Sequence, residues 1–317
     1  MTLITESISQ AAEFLINGQI IAFPTETVYG LGACIHDENA IQNIFIAKGR
    51  PSDNPLIMHI ADLADLNYLV EQPLHSNITS LIEAFWPGPL TLILPLNKNL
   101  KLSPIINAGL NSIAVRMPAH QAALNLIKAV KSPLVAPSAN LSGKPSPTNY
   151  LHVLQDFNNI IACILKGEIT EYGLESTIIN CLNPDNFQLL RAGALDIEKI
   201  QKIIQLEIKN NSFNQESQPL SPGMKYKHYS PKAEITIINS NTQIINPQES
   251  AYIGLTERLE NFKKVYLANN SLDYAQNLFA FFRACDEENI KTIYAQRPES
   301  EGIGFAILER LIKASGG

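Results

Sequence analysis

The residues best equipped for chemistry lie in short clusters at the ends of apolar runs. Pro24-Thr25-Glu26-Thr27-Val28-Tyr29-Gly30-Leu31-Gly32 follows the run Ile20-Ile21-Ala22-Phe23. Its Thr, Glu and Tyr side chains donate and accept hydrogen bonds, and glycine lets a backbone approach a ligand closely. The stretch reads either as a binding loop or as an ordinary strand-to-helix connection; it is neither a Walker A nor a G-x-G-x-x-G loop. Lys48 and Arg50 stand two apart at an expected helix end, with Asn54 just beyond. Two cations there suit a polyphosphate, or they complement the helix C-terminus. Arg116 continues the apolar run Ile113-Ala114-Val115. A buried arginine needs an anion, which is either a ligand carboxylate or an internal one such as Glu26 or Glu175.

Weaker clusters follow the same pattern. Ser138 and Asn140 fall in Pro137-Ser138-Ala139-Asn140, which either lines a nucleotide site or is a plain Ser/Asn turn. His59 alternates with apolar neighbours on an expected strand, as a satisfied rim residue or a participant in a site. Glu175-Ser176-Thr177 opens an apolar run and Arg191-Ala192-Gly193 closes one. No G-x-S-x-G elbow, H-E-x-x-H helix, paired-carboxylate motif or reactive-cysteine signature is present. Many oriented donors without a covalent player suit catalysis by positioning and charge stabilisation, as in phosphoryl or nucleotidyl transfer.

Alternating strands and helices must position these clusters. Apolar spacing predicts a helix over 7–17 stopped at Gly18, a strand over 19–23, and a helix start beyond Gly32. Asp37 caps a helix that delivers Lys48-Gly49-Arg50 before Pro51. Strands are expected at 56–60, 90–96, 112–117, 134–136, 160–165, 175–181 and 187–191. Helices are expected from Asp62, up to Phe85, over 121–130 and over 196–206. The polar stretch Asn210 to Gln218 reads as a linker. Beyond it, strands at 233–238, 251–255, 264–268 and 291–296 alternate with helices at 272–285 and 303–313. The pattern predicts two α/β domains: 1–207, a linker or lid over 208–231, and 232–317.

Composition narrows the function class. The 317 residues are 45% hydrophobic and 17% charged, with a formal net charge of −6, as expected of a globular protein with ample core. Residues 1–206 hold 12 Lys and Arg against 17 Asp and Glu; residues 207–317 hold 12 against 13. Neither half is a polybasic module, so tRNA or other nucleic acid is expected as at most a transient partner. No apolar run is long enough to span a bilayer and the N-terminus lacks a secretory pattern, so no membrane association is expected. Cys34, Cys163, Cys181 and Cys285 are scattered without metal spacing, which points to reduced thiols in the cytoplasm.

Together the clusters carry a resemblance that none carries alone. The 24–32 run is followed by Lys48-Gly49-Arg50-Pro51, Asn54-Pro55-Leu56, Trp86-Pro87-Gly88-Pro89-Leu90-Thr91, Val115-Arg116-Met117-Pro118, Pro137-Ser138-Ala139-Asn140 and Glu175-Ser176-Thr177-Ile178. The chain over residues 10–231 resembles the YrdC-type family of threonylcarbamoyl-AMP synthases. Residues 221–229 resemble the linker of that family's long, two-domain form; the likeness beyond rests on Arg297-Pro298-Glu299 and Gly302-Ile303-Gly304-Phe305-Ala306.

The resemblance implies a twisted, mixed-strand α/β sheet with a large concave cleft, followed by a smaller Rossmann-like domain. It implies conversion of L-threonine, bicarbonate or CO2, and ATP into threonylcarbamoyl-AMP and pyrophosphate, with Mg²⁺ accompanying ATP and no organic cofactor. A downstream transferase complex would then pass the threonylcarbamoyl group to tRNA. Carried over residue by residue, threonine would meet Thr27, His59, Arg116, Ala136 and Ser176. ATP would meet Lys48, Arg50, Asn54, Ser112, Ser138, Ser146, Arg191 and Tyr226, with Lys48, Arg50, Ser138 and Asn140 closest to the chemistry. Ser112 stands where the family often has Thr, keeping a hydroxyl. The alternative is a non-catalytic double-stranded-RNA-binding protein of the same fold, which the acidic charge disfavours. A carbamoyl phosphate-using relative would carry zinc-finger or acylphosphatase segments, and none is visible.

Overall fold

Local signals set most element boundaries. The computed structural model describes residues 1–212, 229–239 and 241–316. Its first elements are β1 (Leu3–Thr5), α1 (Ile8–Ile16), β2 (Ile21–Phe23), β3 (Gly30–Cys34) and α2 (Glu38–Lys48). Then come β4 (Ile57–His59), α3 (Leu63–Leu69), α4 (Ser76–Phe85), β5 (Leu90–Pro95), α5 (Pro104–Asn107), β6 (Ser112–Arg116) and α6 (Gln121–Val130). The first region closes with β7 (Leu134–Val135), α7 (Tyr150–Phe157), β8 (Cys163–Leu165), β9 (Thr177–Asn180), β10 (Gln188–Arg191), α8 (Ile197–Ile204) and β11 (Lys209–Asn210). The second holds β12 (Glu234–Ile238), β13 (Ala251–Gly254), β14 (Lys264–Leu267), α9 (Ser271–Glu287), β15 (Thr292–Gln296) and α10 (Gly302–Ser315).

The side chains of Ser7 and Asp37 accept from Gln10 N and Ala40 N, starting α1 and α2 as their types dictate. Gly49, at φ +59°, ends α2 in the left-handed region. That turn swings Arg50 away from the helix axis while Lys48 stays within the last turn.

Eleven described strands form one mixed sheet in the order β1-β8-β2-β3-β7-β4-β6-β5-β9-β10-β11. Apolar side chains from both faces of this sheet fill the core, which explains why its strands read as continuous apolar runs. Four parallel strands, ordered β12-β15-β13-β14, form the second sheet, with α9 and α10 packed together beside it. The fold expectation of a mixed α/β sheet followed by a smaller Rossmann-like unit therefore holds.

The helix expected beyond Gly32 starts at Glu38, but a strand that was not expected precedes it. Residues 30–34 form β3, antiparallel to β2 with Phe23 opposite Gly30 and Ile21 opposite Gly32. A Cβ on Gly32 would lie 2.8 Å from Cε1 of Phe23, so the glycine makes room for that ring rather than for a turn. The short β1, α5, α7 and β11 were not expected either. β11 pairs in parallel with β10 and so extends the large sheet past residue 207. Of the expected linker, residues 213–228 lie outside the described residues.

Candidate functional site

Sheet register assembles the first half of the site. β4 and β6 run in parallel with His59 opposite Arg116, which brings together two side chains 57 positions apart in the chain. The loop between β2 and β3 arches over them. Thr25 organises it: its hydroxyl donates to Val28 O at 2.7 Å and accepts from Thr27 N and Val28 N. Arg116 is 4% exposed, and its Nη1 donates to Thr27 Oγ1 at 2.8 Å and its Nε to Gly88 O at 3.3 Å. Glu26 Oε1 lies 2.6 Å from Nη2, an ion pair off the line of a hydrogen bond, so Nη2 keeps donor capacity. The internal partner of Arg116 is thus Glu26, and not Glu175.

His59 Nδ1 lies 3.2 Å from Ile57 O, and its ring meets Phe23 edge-on at 6.1 Å. The carbonyl selects the tautomer protonated at Nδ1, leaving Nε2 an acceptor. Burial, reinforced by the Arg116 charge, pushes His59 down to about 3, so the ring is neutral.

The second half comes from distant loops. Gly30 bridges to Ser138, placing 137–140 beside the first loop. Ser138 Oγ donates to Asn140 Oδ1 at 2.5 Å. Lys48 Nζ lies 2.5 Å from the carbonyl oxygens of both Ser138 and Asn140 and braces that loop from behind. Its burial, with the Arg50 charge added, holds the ammonium well below its ordinary value. Arg191 donates from Nε to Ser176 O and from Nη2 to Ser176 Oγ, each at 3.0 Å, and Thr91 Oγ1 holds Ser176 at 2.7 Å. Arg50 donates from Nη2 to the carbonyls of Asn54 and Pro55.

These segments line one cavity, open to solvent on one side. Of the expected site residues, Thr27, Arg50, His59, Arg116, Ala136, Ser138, Asn140, Ser176 and Arg191 border it. Lys48, Asn54, Ser112 and Ser146 are buried but do not. Ser112 begins β6 opposite Pro95, roughly 13 Å along the strand from Arg116. Tyr226 lies outside the described residues. Arg50 Nε and both amide atoms of Asn54 lack a hydrogen-bond partner, although Asn54 is only 1% exposed. Arg50 borders the cavity, where a polar ligand can meet its guanidinium, whereas Asn54 does not.

Lys144, Glu175 and Tyr229 also border the cavity, outside the set of residues expected to bind substrate. Lys144 pairs with Asp156 at 3.0 Å; Glu175 accepts from Ser146 and from Arg310; Tyr229 stacks on Phe279 with ring centres 5.5 Å apart. Burial pushes the Glu175 carboxyl up, but Arg310 and Arg191 outweigh it and hold it below the ordinary range. Tyr229 closes the 221–229 stretch that carried the linker resemblance, so its signal was present in the sequence; nothing there connected Arg310 to Glu175.

Comparisons with known proteins identify the family. A family model described as "Telomere recombination" (Sua5_yciO_yrdC) matches residues 13–193. A second, described as "Threonylcarbamoyl-AMP synthase, C-terminal domain", matches residues 195–316. The threonylcarbamoyl-AMP synthase of Bacillus subtilis is 42% identical over 98% of this chain and 93% of its own length. That of Pyrococcus abyssi is 41% identical over 96% and 93%. A crystal structure of P. abyssi Sua5 complexed with L-threonine superposes with a TM-score of 0.91 at 38% identity, covering 100% of this chain and 98% of that one.

Proposed function

The chain belongs to the Sua5–YciO–YrdC family, and on that footing we propose that it is an L-threonylcarbamoyladenylate synthase. It joins L-threonine, bicarbonate or CO2, and ATP into threonylcarbamoyl-AMP and pyrophosphate, for the threonylcarbamoyladenosine modification of tRNA. The observation that carries this is one cavity bordered by Arg116 from β6 and by Arg50 and Arg191 from more distant segments, with no Cys, or Ser–His pair, among the described residues on its wall. The P. abyssi relative complexed with L-threonine supports an amino acid as the occupant of that cavity over an RNA-binding role.

In this reading the spare N–H groups of Arg116 grip the threonine carboxylate, with Thr27 and Glu26 fixing the guanidinium from behind. Ser176 and the Ala136 backbone complete the amino-acid pocket. Neutral His59, an acceptor at Nε2, takes a hydrogen bond from threonine without adding positive charge beside Arg116. The amine, having lost its proton, attacks the carbon of CO2 and gives up a second proton to form the carbamate; from bicarbonate the same C–N bond forms with loss of water. A carbamate oxygen then attacks the α-phosphorus of ATP, and pyrophosphate leaves with the P–O bond electrons. Arg50 and Arg191 offset the growing phosphate charge; burial, with Arg191 adding to it against Tyr229, draws Arg50 down only to about 10, so it remains a cation. Ser138 donates to Asn140, whose amide donates to the carbonyls of Leu141 and Lys144, so the pair shapes the loop that borders the nucleotide side, and Lys48 braces that loop rather than acting on the phosphates. Asn54 holds Arg50 through its backbone carbonyl, and Ser146 donates to Glu175 of the wall, so both act behind the cavity surface.

Mg²⁺ would enter as counterion of the ATP phosphates. Among the described residues no group of His, Cys, Asp or Glu is arranged to hold a metal, and Glu175 is the sole carboxylate on the cavity wall. Both Glu175 oxygens already accept hydrogen bonds, so no step is assigned to the ion. No helix among the described residues is long and apolar enough to cross a membrane. Four unpaired cysteines support a cytoplasmic setting, where a downstream transferase complex takes the adenylate and tRNA is at most a transient partner.

The deciding experiment is pyrophosphate release from ATP and bicarbonate with L-threonine, L-serine or no amino acid. Release that needs L-threonine is expected. Release indifferent to the amino acid, or none, overturns the reading.

A further inference from the structure

The last helix of the chain reaches into the wall of the cavity. Arg310, on α10, is 0% exposed and is the bulkiest of the fully buried side chains. Its Nε donates to Glu175 Oε2 at 2.8 Å, its Nη1 to Glu309 Oε1 at 3.3 Å, and its guanidinium carbon lies 4.8 Å from the centre of the Tyr229 ring. Glu175 and Tyr229 both border the cavity. The neighbouring Glu309, also 0% exposed, accepts from Ala192 N at 2.8 Å, directly after Arg191. Two adjacent residues of α10 therefore hold the segment entering β9, which carries Ser176, and the segment leaving β10, which carries Arg191.

Those two segments are pressed together. A Cβ on Gly193 would lie 2.3 Å from the backbone of Ser176 and Thr177, and Ala194 N donates to Glu175 O at 3.0 Å. A shift of Glu175 is passed on to Ser176, the residue that Arg191 grips. We propose that Arg310 is a positioning residue of the cavity, holding the Glu175 carboxylate and the Tyr229 ring so that Ser176 and Arg191 face the bound substrates. This rests on the synthase reading and gives the C-terminal region a task in it: α10 completes the wall on the Arg191 side.

The chemistry favours arginine here. A buried carboxylate without a partner is strongly disfavoured, and a guanidinium satisfies it while its flat face packs on an aromatic ring, which an ammonium does less well. The charged and titratable groups facing Glu175 are Arg310 and Glu309 from α10, Arg191 from β10, and Tyr229. Arg191 alone remains as a cation beside Glu175 once Arg310 is gone, and it is already committed to Ser176.

The test compares Arg310→Met, Arg310→Lys and Arg310→Met/Glu175→Gln with wild type in the full chain. Rates of threonine-dependent pyrophosphate release are read across pH 6–9, and the Glu175 carboxyl is followed by carbon-13 NMR. Arg310→Met should lose about 10–100-fold in kcat, as partners behind a reacting group do. Its rate should then climb with pH as the stranded Glu175 carboxyl ionises, and the NMR titration should move upward in step. The double variant should stay slow without that limb, and Arg310→Lys should recover most of the rate. An unchanged pH profile and an unchanged Glu175 titration in Arg310→Met overturn the proposal. If Arg310→Met does not fold, a wild-type kcat in the double variant overturns it instead. A wild-type protein that releases no pyrophosphate sinks the synthase reading, while the NMR titration still decides the role of Arg310.

Discussion

The two ends of the cavity are built differently. The Arg116 end is local to one sheet: His59 and Arg116 are register partners on neighbouring parallel strands, and Glu26 and Thr27 sit in the loop above them. The Arg191 end is a junction. Arg50 follows α2, Ser138 follows β7, Arg191 ends β10, Tyr229 follows the segment 213–228, and Arg310 comes from the last helix. The first end is rigid because strand pairing fixes it. The second depends on two units meeting, through Arg310–Glu175, Arg283–Asp156 at 2.7 Å and the Tyr229–Phe279 stack.

The sharpest way to break this contrast is Arg116→Lys. Lysine keeps the pairing with Glu26 but loses the two-pronged grip, so L-threonine affinity should fall about 30–100-fold, on the order of 2–3 kcal/mol, with ATP affinity changed less than about threefold. Calorimetry with each ligand checks it; equal losses would mean that the ends are not separate.

Arg50→Ala should do the reverse more weakly. The loss of charge-assisted contacts to phosphate predicts about tenfold weaker ATP binding and near-normal threonine binding. A larger effect on threonine would move Arg50 to the wrong end.

A pH effect on stability comes from the rigid end. The folded His59 value is about 3, below the unfolded value near 6.5, so its contribution is complete above pH 6.5 and is lost as pH falls toward 3. At pH 5 the loss is about 2 kcal/mol, or about 4 °C in Tm. His59→Gln should flatten the Tm-against-pH curve between pH 6.5 and 5 by about that amount. The slope does not vanish, because His152 is likewise pushed down to about 4, chiefly by burial. An unaltered slope would show that His59 reaches water.

The smallest effect is expected far from both ends. Lys98 pairs with Glu71 at 2.8 Å on the surface, its side chain 86% exposed. Lys98→Ala should change stability by less than about 0.5 kcal/mol and leave both affinities untouched.

Legibility from sequence follows the same division. The loop 24–32, the α2 end with Lys48 and Arg50, the β6 arginine and the 137–140 turn were readable because each is a contiguous signal: a cap, a breaker, an apolar run with one polar residue out of place. Where the signal was a short element without strong periodicity, as in α7 or the two residues of β11, it was missed. Gly30 and Gly32 misled, because a glycine that makes room for the Phe23 ring looks in sequence like one that makes a turn. Lys48 reads as a phosphate ligand because its type and place suit one; only the fold shows its Nζ against the carbonyls of Ser138 and Asn140, 90 and 92 positions away.

The sequence by itself determined which residues could serve, since side-chain chemistry and local periodicity are properties of neighbours in the chain. It determined the alternation of strands and helices, the two-unit plan and the absence of a covalent nucleophile motif. Tertiary structure decided who partners whom: Glu26 over Glu175 for Arg116, and Arg310, 135 positions downstream, for Glu175. Long-range pairing of buried charges leaves no local periodicity, because each partner is stabilised by a group whose position only the assembled fold supplies.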